Sequence, residues 1–343
     1  MAGSPAALPT NTLVTGDCID TMNAWPADSV DLIFADPPYN IGYSYDKYDD
    51  RRADDEYIAW TEQWIDACTR LLKPTGSLYI LIGDEFAAET RLHLKALERD
   101  RQMLFRNWII WHYTFGQRCK AKFNRSHAHL FYAVGSAALS KAGKPRNDIT
   151  RNPPFTFHYD EVAVPSARMT TYNDARQNPK GKLPDDTWVG RFPTTRDWHT
   201  RPAEAQQDGH FAADDDTWAQ SRLCGTFKER TDWHPCQLPE ALLERIIRVS
   251  SSPGDIVFDP FAGSGSTLTT AKRLARRWLG CELSDDYATK ALRRVKEVKV
   301  RRPPSGLTLA TPTPRPPRPA TVRWSADRLR CASTAAWFAN NPP

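Results

Sequence analysis

Hydrophobic and polar positions alternate along most of the chain between short apolar runs and stretches with helical periodicity. Two apolar runs, residues 30–35 and 256–258, have the composition of strands buried on both faces. Further strands are predicted at residues 12–15, 77–82, 107–113, 129–134 and 278–283. Helices are predicted at residues 18–24, 56–72, 86–98, 239–250, 268–276 and 286–298. This alternation predicts an α/β fold with a doubly wound, mostly parallel sheet.

Three stretches depart from this pattern. Residues 40–55 are polar and rich in tyrosine, and we predict a mobile loop over a functional site. Residues 136–222 lack clean periodicity and mix arginine and lysine with aromatic side chains. That region is either a disordered insertion or a surface that grips phosphates and bases. Residues 301–343 are rich in proline and arginine, and we predict a disordered tail.

Composition narrows the class of protein only slightly. The 343 residues suffice for one large domain or two ordinary ones, and the net charge of +5 permits a polyanionic partner without requiring one. Seven cysteines with no CxxC pair and no metal-ligand spacing are typical of a reduced cytosolic protein. Neither an export signal nor a membrane-spanning run is visible. We therefore expect a soluble, cytoplasmic protein with no membrane partner and no bound metal.

The first candidate site, the Asp36 motif, is Asp36-Pro37-Pro38-Tyr39, directly after the predicted strand 30–35. Open α/β sheets place their chemistry at the carboxyl ends of strands. The Asp36 carboxylate and the Pro37 carbonyl can accept the two hydrogens of a flat amine, while Pro38 lacks an N–H and fixes the turn. Tyr39 can stack on a planar base. An ordinary strand-ending turn is the alternative.

The second candidate site, the glycine turn, spans residues 259–265 after the predicted strand 256–258. Its glycines let the backbone approach a ligand and begin a helix tightly. Because no Lys-Ser/Thr pair follows, it is not a triphosphate-binding loop. Glu282 follows about twenty residues later, at the end of the next predicted strand, where an acid can accept hydrogen bonds from ribose hydroxyls. A surface glutamate is the alternative.

Together these motifs resemble those of the DNA amino-methyltransferases, which move a methyl group from S-adenosylmethionine to an exocyclic base nitrogen. The resemblance covers about residues 13–295 and includes Gly16-Asp17, the Asp36 motif, residues 234–239, the glycine turn and residues 280–283. The order, with the Asp36 motif first, resembles the permuted beta class. The resemblance implies a Rossmann-like, S-adenosylmethionine-dependent fold in which residues 136–222 form an irregular target-recognition insertion.

The resemblance also implies roles for individual residues. The catalytic residues would be Asp36, Pro37, Pro38 and Tyr39, and Glu282 would hold the cofactor's ribose. Asp17 would contact the cofactor's adenine, and a helix N-cap is the alternative. His234 would border the methionine part, and for it a structural role is favoured over a general base. The remaining cofactor-binding residues would be Asp259, Pro260, Phe261, Gly263, Ser264 and Gly265.

Four segments follow from this resemblance: a catalytic half (11–135), a target-recognition region (136–222), a cofactor-binding half (223–300) and the tail (301–343). The expected function is site-specific methylation of adenine N6 on a flipped base in duplex DNA, for restriction-modification or epigenetic marking. Aspartate at position 36 favours adenine over cytosine N4. The alternatives are a cytosine-N4 methyltransferase, an RNA or small-molecule methyltransferase, and a non-catalytic DNA-binding protein. Besides double-stranded DNA, the candidate partners are a cognate restriction endonuclease and a second copy of the chain.

Overall fold

The computed structural model describes residues 8–113, 120–121, 123–149, 152–163, 176, 178, 181–184, 186–188 and 229–300. These residues contain eight strands. The strands are β1 (Thr12–Thr15), β2 (Val30–Ala35), β3 (Leu72–Ile82), β4 (Met103–His112), β5 (His127–Gly135), β6 (Thr187–Trp188), β7 (Ile256–Asp259) and β8 (Arg277–Glu282). The α-helices of the same residues are α1 (Cys18–Asn23), α2 (Asp54–Leu71), α3 (Ala87–Arg99), α4 (Glu240–Ser250), α5 (Ser266–Arg273) and α6 (Asp285–Glu297).

All eight strands form one sheet in the order β1-β8-β7-β2-β3-β5-β4-β6. Strands β1, β8, β7, β2 and β3 pair in parallel, as do β4 and β6. Only β5 runs against its neighbours β3 and β4. The predicted α/β fold with a mostly parallel sheet is confirmed. Because sequential strands are not all neighbours, the chain must cross over the sheet through its helices.

Two hydrophobic cores lie on opposite faces of the sheet. Along β2, Leu32 and Phe34 pack with side chains of α4, α5 and α6, whereas Ile33 and Ala35 pack with those of α1, α2 and α3. Successive side chains of a strand point to opposite faces, so a strand covered on both sides must be apolar throughout. This explains the unbroken apolar run before Asp36 and confirms the doubly wound arrangement.

The structure corrects the predicted start of β3. The Lys73–Gly76 stretch was expected to separate helix from strand, but β3 begins at Leu72, directly after α2 ends at Leu71. The pairing of β2 with β3 shifts between Val30 and Leu32, and the Lys73 ammonium lies 2.6 Å from the Asp31 carboxylate. Pro74 and Gly76 therefore mark an irregularity inside β3, because β3 pairs with β2 both before and after them.

The predicted target-recognition region is described only in part. Its first described residues belong to the body of the protein: Phe155 is buried in the core, and Phe157 packs against that core and stacks on Tyr132. The Phe155 ring is therefore not available for bases, and the partly buried Phe157 ring already stacks within the body of the protein. Strand β6, which pairs with Ile110 and Trp111 of β4, was not predicted, because two residues are too few to show periodicity. Residues 150–151, 164–175, 177, 179–180, 185 and 189–222 of this region lie outside the described residues, as does the tail.

None of the helices among the described residues combines the length and the apolarity that crossing a membrane requires.

Candidate active site

The Asp36 motif and the glycine turn leave the sheet at the same edge. Strands β2 and β7 are parallel neighbours, with Leu32 opposite Val257 and Ile33 opposite Phe258. Adjacent strands lie about 4.8 Å apart, so the segments that follow them begin side by side. A cavity of about 560 Å³ lies at this edge, and both segments line it. Residues 225 positions apart in sequence therefore form one site.

Nearly all of the predicted site residues line this cavity. Twelve of the thirteen do so: Asp17, Asp36, Pro37, Pro38, Tyr39, His234, Asp259, Pro260, Phe261, Gly263, Ser264 and Glu282. Gly265 does not. It adopts a left-handed φ of +75° at the start of α5, and a Cβ there would lie 3.1 Å from the Cβ of Ala291. Gly265 therefore lets α5 begin tightly against α6, behind the wall of the cavity.

Hydroxyl groups orient the Asp36 motif. The Tyr39 hydroxyl donates to Asp36 Oδ1 at 2.8 Å, and the Tyr57 hydroxyl, from α2, donates to the Pro38 carbonyl at 2.6 Å. Burial raises the pKa of Tyr57 well above its ordinary value, so this phenol stays a donor at neutral pH. The first bond joins the two ends of the motif and the second anchors the motif to α2, while Asp36, Pro38 and Tyr39 remain partly exposed to the cavity.

The glycine turn is held mainly through its own backbone. Phe261 N–H donates to Asp259 Oδ1 at 2.9 Å, and Gly263 N–H donates to Glu282 Oε2 at 2.8 Å. The other oxygen of Glu282 accepts from Ser284 N–H at 2.9 Å. A carboxylate has about four acceptor positions, so Glu282 can still accept from a ligand.

Burial raises the pKa of both carboxyl groups at this turn. Asp259 is only 3% exposed, and desolvation raises its pKa to about 7 although Thr267 and the Phe261 N–H stabilise its charge. Burial also raises the pKa of Glu282, against the backbone hydrogen bonds from Ser284 and Gly263. A cationic group bound in the cavity would therefore favour the ionised form of each acid.

Gly263 and His234 are in close contact. Gly263 has a left-handed φ of +48°, and a Cβ at this position would lie 2.8 Å from His234 Nε2. The imidazole also packs edge-on against Tyr287, with ring centroids 4.9 Å apart. His234 Nδ1 is buried and has no hydrogen-bond partner among the described residues. The histidine thus fits a space that only a glycine leaves open.

The electrostatics of His234 favour the structural role over the general base. Burial, with a smaller contribution from the Arg294 charge, lowers its pKa from 6.5 to about 4. The imidazole is therefore neutral near pH 7 and a weak base. In the same segment, Cys236 accepts a contact from the Tyr45 hydroxyl at 3.6 Å, and Gln237 bridges the backbone of Thr231 and Glu229.

Asp17 combines the two roles considered for it. Its Oδ1 accepts from the backbone N–H groups of Ile19 at 2.8 Å and Asp20 at 3.1 Å, which makes it the N-cap of α1. The same residue lines the cavity. Because the cap fixes one carboxylate oxygen, the second oxygen of Asp17 is also held in a defined position, where it can accept a hydrogen bond.

The predicted loop over the site is present, and the structure supplies its internal organisation. We call residues 40–53 the tyrosine loop. Buried Asp50 accepts from the backbone N–H groups of Asn40, Ile41 and Tyr43 at 2.8, 3.2 and 2.8 Å. Further along, Asp46 accepts from the Ser284 hydroxyl, and Lys47 pairs with Asp285. These contacts connect the loop to the start of α6; its mobility stays a prediction.

Several cavity residues were not predicted from the sequence. From the tyrosine loop and α2 they include Tyr43, Tyr45, Tyr48, Arg52 and Trp60, and from the end of the sheet Glu85, Trp111, Tyr113, Arg125 and His127. The tyrosine spacing of the loop was a signal for the first group. The second group comes from the ends of β3, β4 and β5, and no local motif marks those positions.

Comparison with known proteins gives the family of this chain. Residues 30–293 match the DNA methylase family. The type II methyltransferase M.HpaI of Haemophilus parainfluenzae is 30% identical over 288 residues, which cover 82% of this chain and 73% of that protein. The DNA adenine methyltransferase YhdJ of Escherichia coli (strain K12) is 31% identical over 292 residues, with 83% and 82% coverage.

The fold also resembles a solved structure. The PvuII DNA methyltransferase, described as cytosine-N4-specific, aligns with a TM-score of 0.52 and 16% identity, over 84% of this chain and 87% of that one. At this identity the likeness establishes the shared fold alone.

Proposed function

This chain belongs to the DNA methylase family, and on that premise we propose that it transfers a methyl group from S-adenosylmethionine to adenine N6 at a specific site in duplex DNA. The observation that carries the proposal is the shared cavity of about 560 Å³, lined by both the Asp36 motif and the glycine turn. One segment suits a planar amine and the other suits a nucleoside-containing cofactor. A methyl group can pass between them only if both face the same space.

The residues of the cavity fit the cofactor. A volume of about 560 Å³ is within the range that small-molecule sites occupy. Glu282 would accept hydrogen bonds from the ribose, Asp17 would contact the adenine, and Gly263 would let the backbone approach. When bound, S-adenosylmethionine supplies an electrophilic methyl group on a sulfonium. The acids around the cavity, Asp17, Asp259 and Glu282, suit a positively charged ligand.

The Asp36 motif would activate the amine by accepting its hydrogens. The lone pair of an exocyclic amine is delocalised into the base, so the nitrogen is a poor nucleophile. Acceptance of both hydrogens, by Asp36 and by the Pro37 carbonyl, favours the pyramidal nitrogen of the transition state, and interactions that strengthen there raise the rate. The Tyr39 hydroxyl, which holds Asp36 Oδ1 at 2.8 Å, would fix the carboxylate while its ring stacks on the base.

No strong base is needed at this site. After transfer the nitrogen is cationic and loses a proton readily to Asp36 or to water. The low pKa of His234, about 4, suits a side chain that shapes the cavity and carries no proton at neutral pH. In duplex DNA the target amine must leave the stack to enter this cavity, so the substrate would be a flipped nucleotide.

The nearest competing function is methylation of cytosine N4, because both amines pose the same chemical problem. Aspartate at position 36, where the resemblance associates serine with cytosine, favours adenine. A non-catalytic DNA-binding protein is disfavoured because Asp36 and the glycine turn are both intact and share a cavity.

The deciding experiment incubates the protein with methyl-labelled S-adenosylmethionine and either duplex DNA from a methylation-deficient strain or RNA. The nucleic acid is digested to nucleosides, which are separated by chromatography. We expect N6-methyl-2′-deoxyadenosine from DNA, no methylated nucleoside from RNA, and no product with Asp36→Ala, which should still bind S-adenosylhomocysteine. Glu282→Ala should mainly weaken that binding. N4-methyl-2′-deoxycytidine would select the competing function, and no product from wild-type protein would reject both.

The same proposal extends to the biological role of the methyl mark and to the partners of the protein. We propose that the mark serves restriction-modification or epigenetic labelling, and that a cognate endonuclease or a second copy of the chain is a partner. Single-molecule sequencing of host DNA with and without the gene would map the site, and light scattering would give the oligomeric state.

A further inference from the structure

The cavity contains one arginine whose charge is not matched by a carboxylate in the described part of the chain. Three lysine or arginine side chains line the cavity there: Lys47, Arg52 and Arg125. Lys47 pairs with Asp285, and Arg125 pairs with Asp84 at 2.6 Å and with Glu85. No ion pair within the described ranges includes Arg52. Of these three cations, Arg52 is therefore the one whose charge can pair with an anionic ligand.

Two aromatic rings and a backbone clamp hold Arg52 in place. The guanidinium lies 4.8 Å from the ring centroid of Tyr48 and 4.9 Å from that of Trp60. Its backbone N–H donates to Asn40 Oδ1 at 2.8 Å, and Asn40 Nδ2 donates to the Arg52 carbonyl at 2.9 Å. Since Asn40 directly follows Tyr39, the arginine is tied to the end of the Asp36 motif.

Arg52 also lies close to the glycine turn. The ring of Trp60 contacts that of Phe261 at 5.7 Å between centroids. Trp60 therefore contacts both the Arg52 guanidinium and Phe261 of the glycine turn. The backbone pairing of Arg52 with Asn40 places the same arginine next to the Asp36 motif. Aromatic rings stabilise the cation, but they do not accept N–H hydrogen bonds as a carboxylate does. An arginine held in this way is preorganised to bind an oxyanion.

We propose that Arg52 binds an oxyanion of the ligands in this cavity. This inference rests on the proposed function, which brings two oxyanions here. One is the carboxylate of the cofactor's methionine part, and the other is a phosphate beside the flipped nucleotide. A planar guanidinium fits both through paired N–H donors, whereas a lysine offers only a point charge.

The test compares Arg52→Met with Arg51→Met, its exposed neighbour outside the cavity lining. Calorimetry measures the affinity for S-adenosylhomocysteine, which has the carboxylate, and for methylthioadenosine, which lacks the amino-acid part. If Arg52 binds the carboxylate, R52M weakens binding of the first by about 10- to 100-fold and leaves the second unchanged. Arg52→Lys should recover only part of the loss. A merely structural role would weaken both ligands together.

The second arm measures the affinity for duplex DNA as a function of salt concentration. If Arg52 binds a phosphate, R52M leaves S-adenosylhomocysteine affinity intact and reduces the slope of log affinity against log salt by about 1. The proposal is overturned if R52M matches R51M for both nucleosides and in the salt slope, or if R52M weakens both nucleosides equally and leaves the salt slope unchanged. Wild-type protein that binds S-adenosylhomocysteine but methylates no DNA would refute the proposed function and leave the carboxylate arm valid.

Discussion

The Asp36 motif and the glycine turn occupy equivalent positions and are built differently. Each follows a buried parallel strand, and the two strands are neighbours. The glycine turn is held by its own backbone N–H groups and by two carboxylates, of Asp259, which is buried, and of Glu282, which is partly buried. The Asp36 motif is held by hydroxyls of Tyr39 and Tyr57 and remains partly open. Changes at the turn should therefore affect stability and binding together, whereas changes at Asp36 should affect only turnover.

The surroundings of the two segments extend this difference. Behind the glycine turn, Arg294 donates to the Ser264 carbonyl and to Ser266 Oγ, both at 3.0 Å, and pairs with Glu240 at 2.7 Å. These contacts link three helices to the turn. In front of the Asp36 motif, the tyrosine loop is held from within by Asp50 and Asn40 and is joined to the start of α6 by Asp46 and Lys47. The cofactor side is therefore held by contacts among three helices, whereas the catalytic side is held largely by contacts within and beside one loop.

The largest expected effect separates chemistry from folding. Asp36→Asn removes a charged acceptor that the transition state would need, so we expect turnover to fall by about 10²- to 10³-fold. The unfolding midpoint and the affinity for S-adenosylhomocysteine should stay close to wild type. Single-turnover kinetics and calorimetry measure these quantities. The exposed Asp49→Asn is the control, and a parallel loss of stability in D36N would break the comparison.

The pH dependence of stability should report His234 on the cofactor side. The folded pKa of about 4 is below the ordinary 6.5, so the unfolded chain takes up the proton first as the pH falls. The contribution of the neutral imidazole to the free energy of unfolding is fully present above pH 6.5. It is lost as the pH falls from 6.5 to 4, and the total loss is about 3 kcal/mol. Asp259, whose raised pKa of about 7 has the opposite effect over this range, is common to both proteins, so the denaturant-derived stability of wild type relative to His234→Gln should fall as the pH falls from 6.5 to 4. An unchanged profile would contradict the burial effect.

Gly263→Ala should affect both stability and binding. Gly263 and Gly254 both have a left-handed φ, of +48° and +91°, so alanine strains the backbone at either position. Only at Gly263 does the new Cβ meet His234, while at Gly254 it meets nothing within 4 Å. We expect G263A to lose about 1–3 kcal/mol more than G254A in urea unfolding. It should also bind S-adenosylhomocysteine more weakly, and equal losses would show that the contact with His234 is unimportant.

The smallest effect is expected from Asp50→Asn in the tyrosine loop. Asparagine keeps one oxygen but replaces the other with a donor, so at least one backbone bond is lost at a cost of about 1 kcal/mol. Hydrogen exchange of the amides of residues 40–43 should become faster, and the free energy of unfolding should fall by no more than about 1 kcal/mol. Exchange as slow as in the Asp49→Asn control would mean that Asp50 does not hold the loop.

Part of this site was predictable because its signals are local. An apolar run followed by Asp-Pro-Pro-Tyr, or by a glycine turn with Glu282 downstream, depends only on neighbours in sequence and on strand burial. The role of Asp50 was not predictable, because a carboxylate in a polar loop looks the same whether it faces solvent or three amides. Arg52 was missed for a similar reason: its significance depends on the pairing of Lys47 and Arg125 with acids far away in sequence.

The sequence by itself determined the α/β class, the two motifs and their order, because periodicity and turn chemistry are properties of short segments. Tertiary structure alone decided that β2 and β7 are neighbours, that Gly265 lies behind the cavity wall and that Phe155 belongs to the core. It also decided that His234 is buried against Gly263 and that Arg52 retains an unmatched charge within the described residues. These facts depend on distances and desolvation between segments far apart in the chain, and local sequence carries no record of them.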